Sequence, residues 1–379
     1  MLGPRNLVID TMSEVYQELK PWADAEFWNF AEHDPIPNSV YVLGRQQVVE
    51  NQEKFKQLAQ DPRFVMVFGN SAEGSETLVD QLNMLKLTAL VLEGKILIIG
   101  GGEMESCYPY LHHDHFLCRI LDYPENHREI GRAGDIFSQT DKPYKFLFLN
   151  GRARPHRKYL WHRFQQQDLL KHALWTMLDS RPTISRQFSL KYNGINLMAT
   201  TTPLQRLPAK YEVEQYRATV ISPGPAERTF VKTELFNNTW GEIYLQAEPY
   251  CDTYFSLVTE TVFEYPYSFR TEKIAKPLAV GHPWIAASNR GFYRDMRNLG
   301  FKTFDSLIDE SFDSIDNSQE RMDRIATVVN DLCQQDLTSF MQASESICKY
   351  NQQHLQQLSS CIKSEFADKF FNFIKQHRP

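Results

Sequence analysis

Residues 260–313 read ETVFEYPYSFRTEKIAKPLAVGHPWIAASNRGFYRDMRNLGFKTFDSLIDESFD, and the periodicity of this stretch decides the fold class. Thr271-Glu272-Lys273 opens an amphipathic segment with Ile274, Leu278 and Ala279 on one side. Gly281-His282-Pro283 stops that segment and feeds the apolar run 283–287. A second amphipathic turn, 292–299, ends at Gly300 ahead of Phe301 and Phe304. The order predicted is helix, strand, helix, strand: an α/β layer with a polar triplet at a helix start.

A helix start is a place where such a triplet can do chemistry. The first N–H groups have no partner inside the helix, the dipole is positive there, and phosphates settle on it. Lys273 adds a full positive charge, and Glu272 can accept hydrogen bonds from sugar hydroxyls. The plainer alternative is Thr271 as an N-cap, Glu272 as a favourable first-turn acid and Lys273 as a solvated side chain.

Upstream, 254–261 carries FSLVTET and reads as a strand, which puts Glu260 at its C-terminal end, toward the crevice that Thr271 faces. The acid could equally be an exposed strand end. Residues 145–150, KFLFLN, read as another strand and run into GRARPHRK at 151–158. Pro155 suits a first helical turn, and Tyr159, Leu160, Phe164, Leu169, Leu170 and Leu174 continue a long amphipathic helix. Arg154 and Arg157 at that helix start make a pyrophosphate cradle, or else a solvated basic edge.

The first part of the chain alternates apolar runs at 7–9, 40–43 and 64–68 with helical spacing at 46–58. Runs 90–92 and 96–99 flank Glu93-Gly94-Lys95, which reads as a turn or as an interruption of a strand that would include 90–92. Gly100-Gly101-Gly102-Glu103 follows the second of these without full G-x-G-x-x-G spacing, so a plain turn is favoured over a dinucleotide loop. Ligands in open α/β sheets sit beyond strand ends, which makes Glu103 and Glu105 candidate bases. His112-His113-Asp114-His115 could supply a general base, Asp114 or His115. On a strand His113 and His115 would share a face that His112 could not join, and no His-Glu-x-x-His pattern occurs, so no metal centre is expected. Residues 126–142 read as a linker or a loop at the mouth of a cleft, and 183–227, with Thr200-Thr201-Thr202-Pro203 and Ser222-Pro223-Gly224-Pro225, as loop. From 322 to 332 and from 337 to 377 the spacing is helical. This tail is a brace across two domains or an arm that packs on another subunit, a route to a homo-oligomer.

The chain of 379 residues is long enough for about two domains, and its 42% hydrophobic content predicts a folded protein. A net charge of −6 argues against a nucleic-acid coat or a polybasic membrane surface, so phosphate recognition must be local. The six cysteines form no Cys-x-x-Cys pair, which argues against a disulfide framework or a structural zinc site and for reduced thiols. No apolar run has signal-peptide or membrane-span length, and the expectation is a soluble cytoplasmic protein.

KFLFLNGRARPHRKYLWHRF, FSLVTET and the 269–313 segment together resemble a GT-B glycosyltransferase, nearest to the fucosyltransferase-like family with a TEK signature. Similar sequences occur in uncharacterised proteins of large viruses and phages. The resemblance covers roughly 144–331. It implies an α/β fold of two Rossmann-like domains with a helical C-terminal extension, divided as 1–143 on the acceptor side, 144–332 on the nucleotide-sugar side and 333–379 helical. It further implies an inverting transfer that needs no metal or other cofactor. The co-substrate is a nucleoside-diphosphate sugar, and the acceptor a glycan, lipid or protein. Glu260 would match the family's strand-end acid, Glu272 the ribose-contacting acid, Lys273 the phosphate-contacting lysine and Arg157 an earlier donor-binding arginine. Glu260 stands between Thr259 and Thr261, where the fucose-specific pattern has an aromatic residue and an asparagine. A non-catalytic α/β binding protein with a helical docking arm is the alternative.

Overall fold

The structure is a computed structural model. It describes residues 6–72, 74–104, 107–150, 154–177, 245–264 and 267–377, together with the short strands at 191–192, 195–196, 218–221 and 230–233. Glu105 and nearly all of 178–244, including the two loop motifs read at 200–203 and 222–225, lie outside the described residues. The chain is α/β and divides into two units. One takes residues 1–118, 265–271 and 357–379, the other 119–264 and 272–356.

The first unit runs β1 (Asn6–Asp10), α1 (Tyr16–Leu19), β2 (Ala25–Phe27), β3 (Ser39–Gly44), α2 (Arg45–Glu50), α3 (Gln52–Gln60), β4 (Phe64–Asn70), α4 (Ser75–Met84), α5 (Thr88–Leu92), β5 (Ile96–Gly100), β6 (Tyr110–His112) and α6 (His115–Arg119). Its sheet is parallel throughout, in the order β2-β1-β3-β4-β5-β6. The central strands are buried on both faces, which is why they read as unbroken apolar runs. Val8, Tyr41, Met66, Phe68 and Ile98 face one core with Phe55, Leu78 and Val91 of the covering helices. Ile9, Val42, Val65, Val67 and Ile99 face the other, which Phe366, Phe370 and Phe373 of the chain's last helix complete.

The second unit runs α7 (Pro124–Ala133), β7 (Tyr144–Phe148), α8 (Pro155–Gln166), β8 (Ala173–Trp175), the antiparallel pairs β9 (Lys191–Tyr192) with β10 (Ile195–Asn196) and β11 (Ala218–Ile221) with β12 (Phe230–Thr233), then α9 (Glu248–Cys251), β13 (Thr253–Thr259), α10 (Glu272–Val280), β14 (Trp284–Ala287), α11 (Phe292–Asn298) and α12 (Ser318–Cys333). A parallel sheet in the order β14-β13-β7-β8 forms its centre. The last helix, α13 (Leu337–His377), gives its first half to this unit and its residues from 357 onward to the first.

Four local expectations do not hold. Residues 90–92 close helix α5 rather than forming a strand, the ambiguity inherent in a short apolar run. Residues 126–133 are helix α7. Its buried face is Asn126, Glu129 and Ala133, so polar residues hide the period. They face inward because Asn126 Oδ1 accepts Leu245 N–H at 2.9 Å and Glu129 Oε2 accepts Ala247 N–H at 3.1 Å. Helix α8 stops at Gln166, with Asp168 at φ 59° just beyond it; Leu170 then opens a 3-10 turn and Leu174 lies in β8. Phe301 and Phe304 are not a strand. Asn351 pairs with both the N–H and the C=O of Lys302, each at 2.8 Å, and so does a neighbouring strand's work for one residue.

Candidate functional site

In the second unit, β7–α8–β8 winds toward one edge of the sheet and β13–α10–β14 toward the other. The winding therefore reverses between β7 and β13. The crevice beyond the carboxyl ends of such a pair is where open parallel sheets hold ligands. Helices α8 and α10 both start from this edge. Asn150 ties it together: its Oδ1 accepts from Thr259 Oγ1 at 2.7 Å, and its Nδ2 donates to Thr176 O at 3.2 Å.

Both helix starts deliver cations to the run 259–261, Arg157 to its first two residues and Lys273 to its third. Arg157 Nη2 donates to the carbonyls of Thr259, 2.9 Å, and Glu260, 3.3 Å. His156 Nε2 donates to Glu260 O at 2.9 Å. Lys273 Nζ lies 3.4 Å from Thr261 Oγ1 and pairs with Glu272 at 2.5 Å. Arg157 is buried, whereas Lys273 keeps a quarter of its side chain exposed. Arg154 occupies the N-cap position of α8 and is half-buried. Burial, then the charges of Arg157, Arg154 and Arg321, push the His156 imidazole well below its ordinary 6.5, so the ring is neutral. It stacks on Phe263, ring centres 5.2 Å apart. Burial would raise Glu272, but Lys273 and then Lys276 outweigh it and hold the carboxyl below its usual range. Glu260 is fully buried, with Oε2 accepting the N–H of Thr261 at 3.1 Å. A helix start with lysine and arginine beside it suits an anionic group, and such a group's developing charge would be stabilised there.

The first unit has its own reversal, between β1 and β3, and Asp10 sits on it. Its Oδ1 accepts Met12 N–H at 2.9 Å and its Oδ2 accepts Gly44 N–H, at the end of β3, at 3.0 Å. Burial outweighs these two hydrogen bonds and pushes the carboxyl from 3.8 up to about 6. Thr11 Oγ1 and Ser13 Oγ follow it, buried with no hydrogen-bond partner among the described residues. A buried acid with this acidity at a winding reversal is a functional-site candidate. The sequence reading misses it. An aspartate ending the run LVID is a common strand end, and only the strand order gives it meaning.

The other candidate bases are placed differently. Asp114 is buried in a two-point ion pair with Arg270; burial would raise it, but Arg270 and then His112 hold it far below the carboxylate range. It therefore cannot take up a proton near neutral pH. Glu103 is half exposed, 3.8 Å from Arg270 Nη1. His115 begins α6, buried, its ring edge-on to His113 with centres 6.2 Å apart. The glycine triplet is a docking track. A Cβ on Gly101 would lie 1.9 Å from Ser71 O, Gly102 bridges Phe269, and Glu103 N–H donates to Ser268 O at 3.1 Å. Thr271 closes that returning segment, buried.

A groove of about 410 Å³ in the second unit is lined by Asp305, Leu307, Asp309, Arg324 and Gln335, among others, and includes none of the residues above. No helix among the described residues is long and apolar enough to cross a membrane. In comparison with known proteins, no family model, no curated protein and no solved structure matches the chain.

Proposed function

We propose that the chain is a glycosyltransferase of GT-B type that moves a sugar from a nucleoside-diphosphate sugar to a glycan, lipid or protein acceptor, its two units serving as two Rossmann-like domains. One observation carries this reading. Two helix starts, α8 and α10, bring Arg154, Arg157 and Lys273 to the carboxyl edge where the four-stranded parallel sheet reverses its winding. On this reading the diphosphate rests on those helix starts, and Arg154 and Lys273 neutralise the charge that grows as the glycosidic bond breaks. Arg157 and His156 keep the strand end in place through their hydrogen bonds to Thr259 and Glu260. Within the first unit, Asp10 is the carboxyl whose acidity suits a general base near neutral pH. No metal is required.

The non-catalytic reading draws on Arg157, whose Nη2 is already engaged by main-chain carbonyls. One experiment separates the two: nucleoside diphosphates in a thermal-shift panel, then release of diphosphate from a panel of sugar donors with candidate acceptors. The transferase reading expects Tm to rise with at least one nucleoside diphosphate. It also expects Lys273→Ala and Arg154→Ala each to weaken that binding about tenfold, ~1.4 kcal/mol. If no nucleoside diphosphate raises Tm at millimolar concentration, the reading fails. Binding without turnover over the whole panel leaves the non-catalytic one.

A further inference from the structure

We propose that Glu18, His113 and Cys118 form a binding site for a zinc-class divalent metal inside the first unit. The three residues come from α1, from the turn after β6 and from α6, and all three are buried. One ligand atom of each lies within 4.8 Å of the other two. Cys118 Sγ is 3.3 Å from Glu18 Oε1, and His113 Nε2 is 3.9 Å from the same oxygen. A tetrahedral zinc, with bonds of ~2.3 Å to sulfur and ~2.0–2.2 Å to nitrogen and oxygen, requires separations of roughly 3.3–3.6 Å between its donors. The Sγ–Oε1 separation already meets that requirement, and the Nε2–Oε1 separation exceeds it by a few tenths of an ångström.

The donor set is chemically selective. Thiolate and imidazole favour zinc over magnesium or calcium, and a single carboxylate completes a neutral site around a divalent ion. The surroundings suit a structural ion. Phe366 packs against the His113 ring, centres 4.5 Å apart, and Ser359 Oγ donates to Cys118 O at 2.8 Å. Both belong to the part of α13 that lies on this unit, so the metal would pin the sheet edge where that helix rests. Of the histidines at 112–115, only His113 enters the site. When zinc binds, the Zn–S bond forms as the Cys118 S–H proton leaves to solvent. Affinity should therefore rise with pH, about tenfold per unit while the thiol is protonated.

The test uses the full chain, purified without chelator, for elemental metal analysis. It is then stripped with EDTA and titrated with zinc chloride and, separately, cobalt chloride. The expected result is about one zinc per chain, a thiolate-to-cobalt charge-transfer band, and a Tm that falls on stripping and returns with zinc but not with magnesium. Cys118→Ser should abolish the band. Cys107→Ser with Cys361→Ser, which removes both exposed thiols, should keep it. Should Cys118→Ser fail to fold, the wild-type stoichiometry and band, read beside the exposed-thiol variant, still decide. Less than about a tenth of an equivalent after reconstitution overturns the proposal. So does a cobalt complex without a sulfur band, or a band that survives Cys118→Ser.

Discussion

Arg270 and Asp114 meet as a buried two-point ion pair, Nε to Oδ1 at 2.7 Å and Nη2 to Oδ2 at 3.1 Å, across 156 positions of sequence. The pair fastens 267–271 to the first unit beside the glycine track, just before the chain enters α10. Arg270→Ala should lower stability by ~3–5 kcal/mol, because Asp114 is left buried and charged. Arg270→Lys should recover little, since a point charge cannot reproduce the planar fork. Urea denaturation at neutral pH measures both. The folded-state acidity of Asp114 is depressed, so its stabilisation is present above the ordinary 3.8 and is lost as pH falls below it. The gap between wild type and Arg270→Ala should narrow in acid. A constant gap would mean that charge is not what the arginine supplies.

The neutral His156 ring gives a second expectation. It donates to Glu260 O and stacks on Phe263, so His156→Leu removes the donor and leaves a buried carbonyl without it. The expected loss is ~1–3 kcal/mol. Its folded-state acidity lies below 6.5, so this stabilisation is present above 6.5 and is lost as pH drops further. The His156 imidazole resonances should keep neutral-form shifts at a pH where a free histidine is already mostly charged. Protonation near 6.5 would contradict the buried geometry.

Much of the fold was legible wherever local pattern and tertiary structure agree. The runs LVI at 7–9, VYVL at 40–43 and FVMVF at 64–68 are strands, and TEK begins a helix as its first-turn chemistry implies. What stayed hidden depends on partners far along the chain. Asn126 and Glu129 look like linker residues until the backbone of 245–247 arrives to use them. Asp10 is an ordinary strand end until the order β2-β1-β3 makes it the reversal point. Asp114 reads as a base until Arg270 returns from another part of the chain. The converse holds for Arg157 and Lys273. The family resemblance implied one shared donor site for them, and they reach the same strand end, yet sequence could not foresee that Arg157 would be bound to main-chain carbonyls.

His282 shows how a motif read as a helix stop also carries tertiary work. Gly281, at φ 68°, ends α10, and His282 N–H donates back to Pro277 O at 2.8 Å. The ring then bridges β13: Nε2 donates to Thr253 O at 2.9 Å, which leaves Nδ1 to accept from Ser256 Oγ at 3.0 Å. Burial, the largest cause, holds the imidazole at about 3 rather than 6.5. Its contribution is therefore complete above 6.5 and declines as pH falls toward 3, on the order of a few kcal/mol in all. His282→Ala should be markedly destabilised at neutral pH, and its urea midpoint should depend less on pH below 6.5 than that of wild type. Parallel midpoint curves for the two proteins would show that His282 is not the group being titrated.

Asp10 predicts the opposite slope. Its folded-state acidity is raised, so the stability it confers is full below 3.8, where both states are protonated, and is lost as pH rises through about 6. A shift of about two units corresponds to ~3 kcal/mol at most. Asp10→Asn keeps the shape and cannot ionise, but it turns an amide N–H toward one of the two main-chain donors, Met12 N or Gly44 N. That mismatch costs ~1–3 kcal/mol at every pH. The level of stability therefore decides nothing, and the slope decides. Relative to wild type, the variant should become progressively more favourable from pH 4 to pH 7 in urea melts. If the proposed transfer also uses Asp10 as its base, turnover should rise with pH through about 6 in wild type and be largely abolished in Asp10→Asn. A stability difference that does not change with pH would place the carboxyl's acidity in the ordinary range and remove it as the proposed base. A changing difference with unchanged turnover would leave Asp10 as a fastening between β1 and β3 alone.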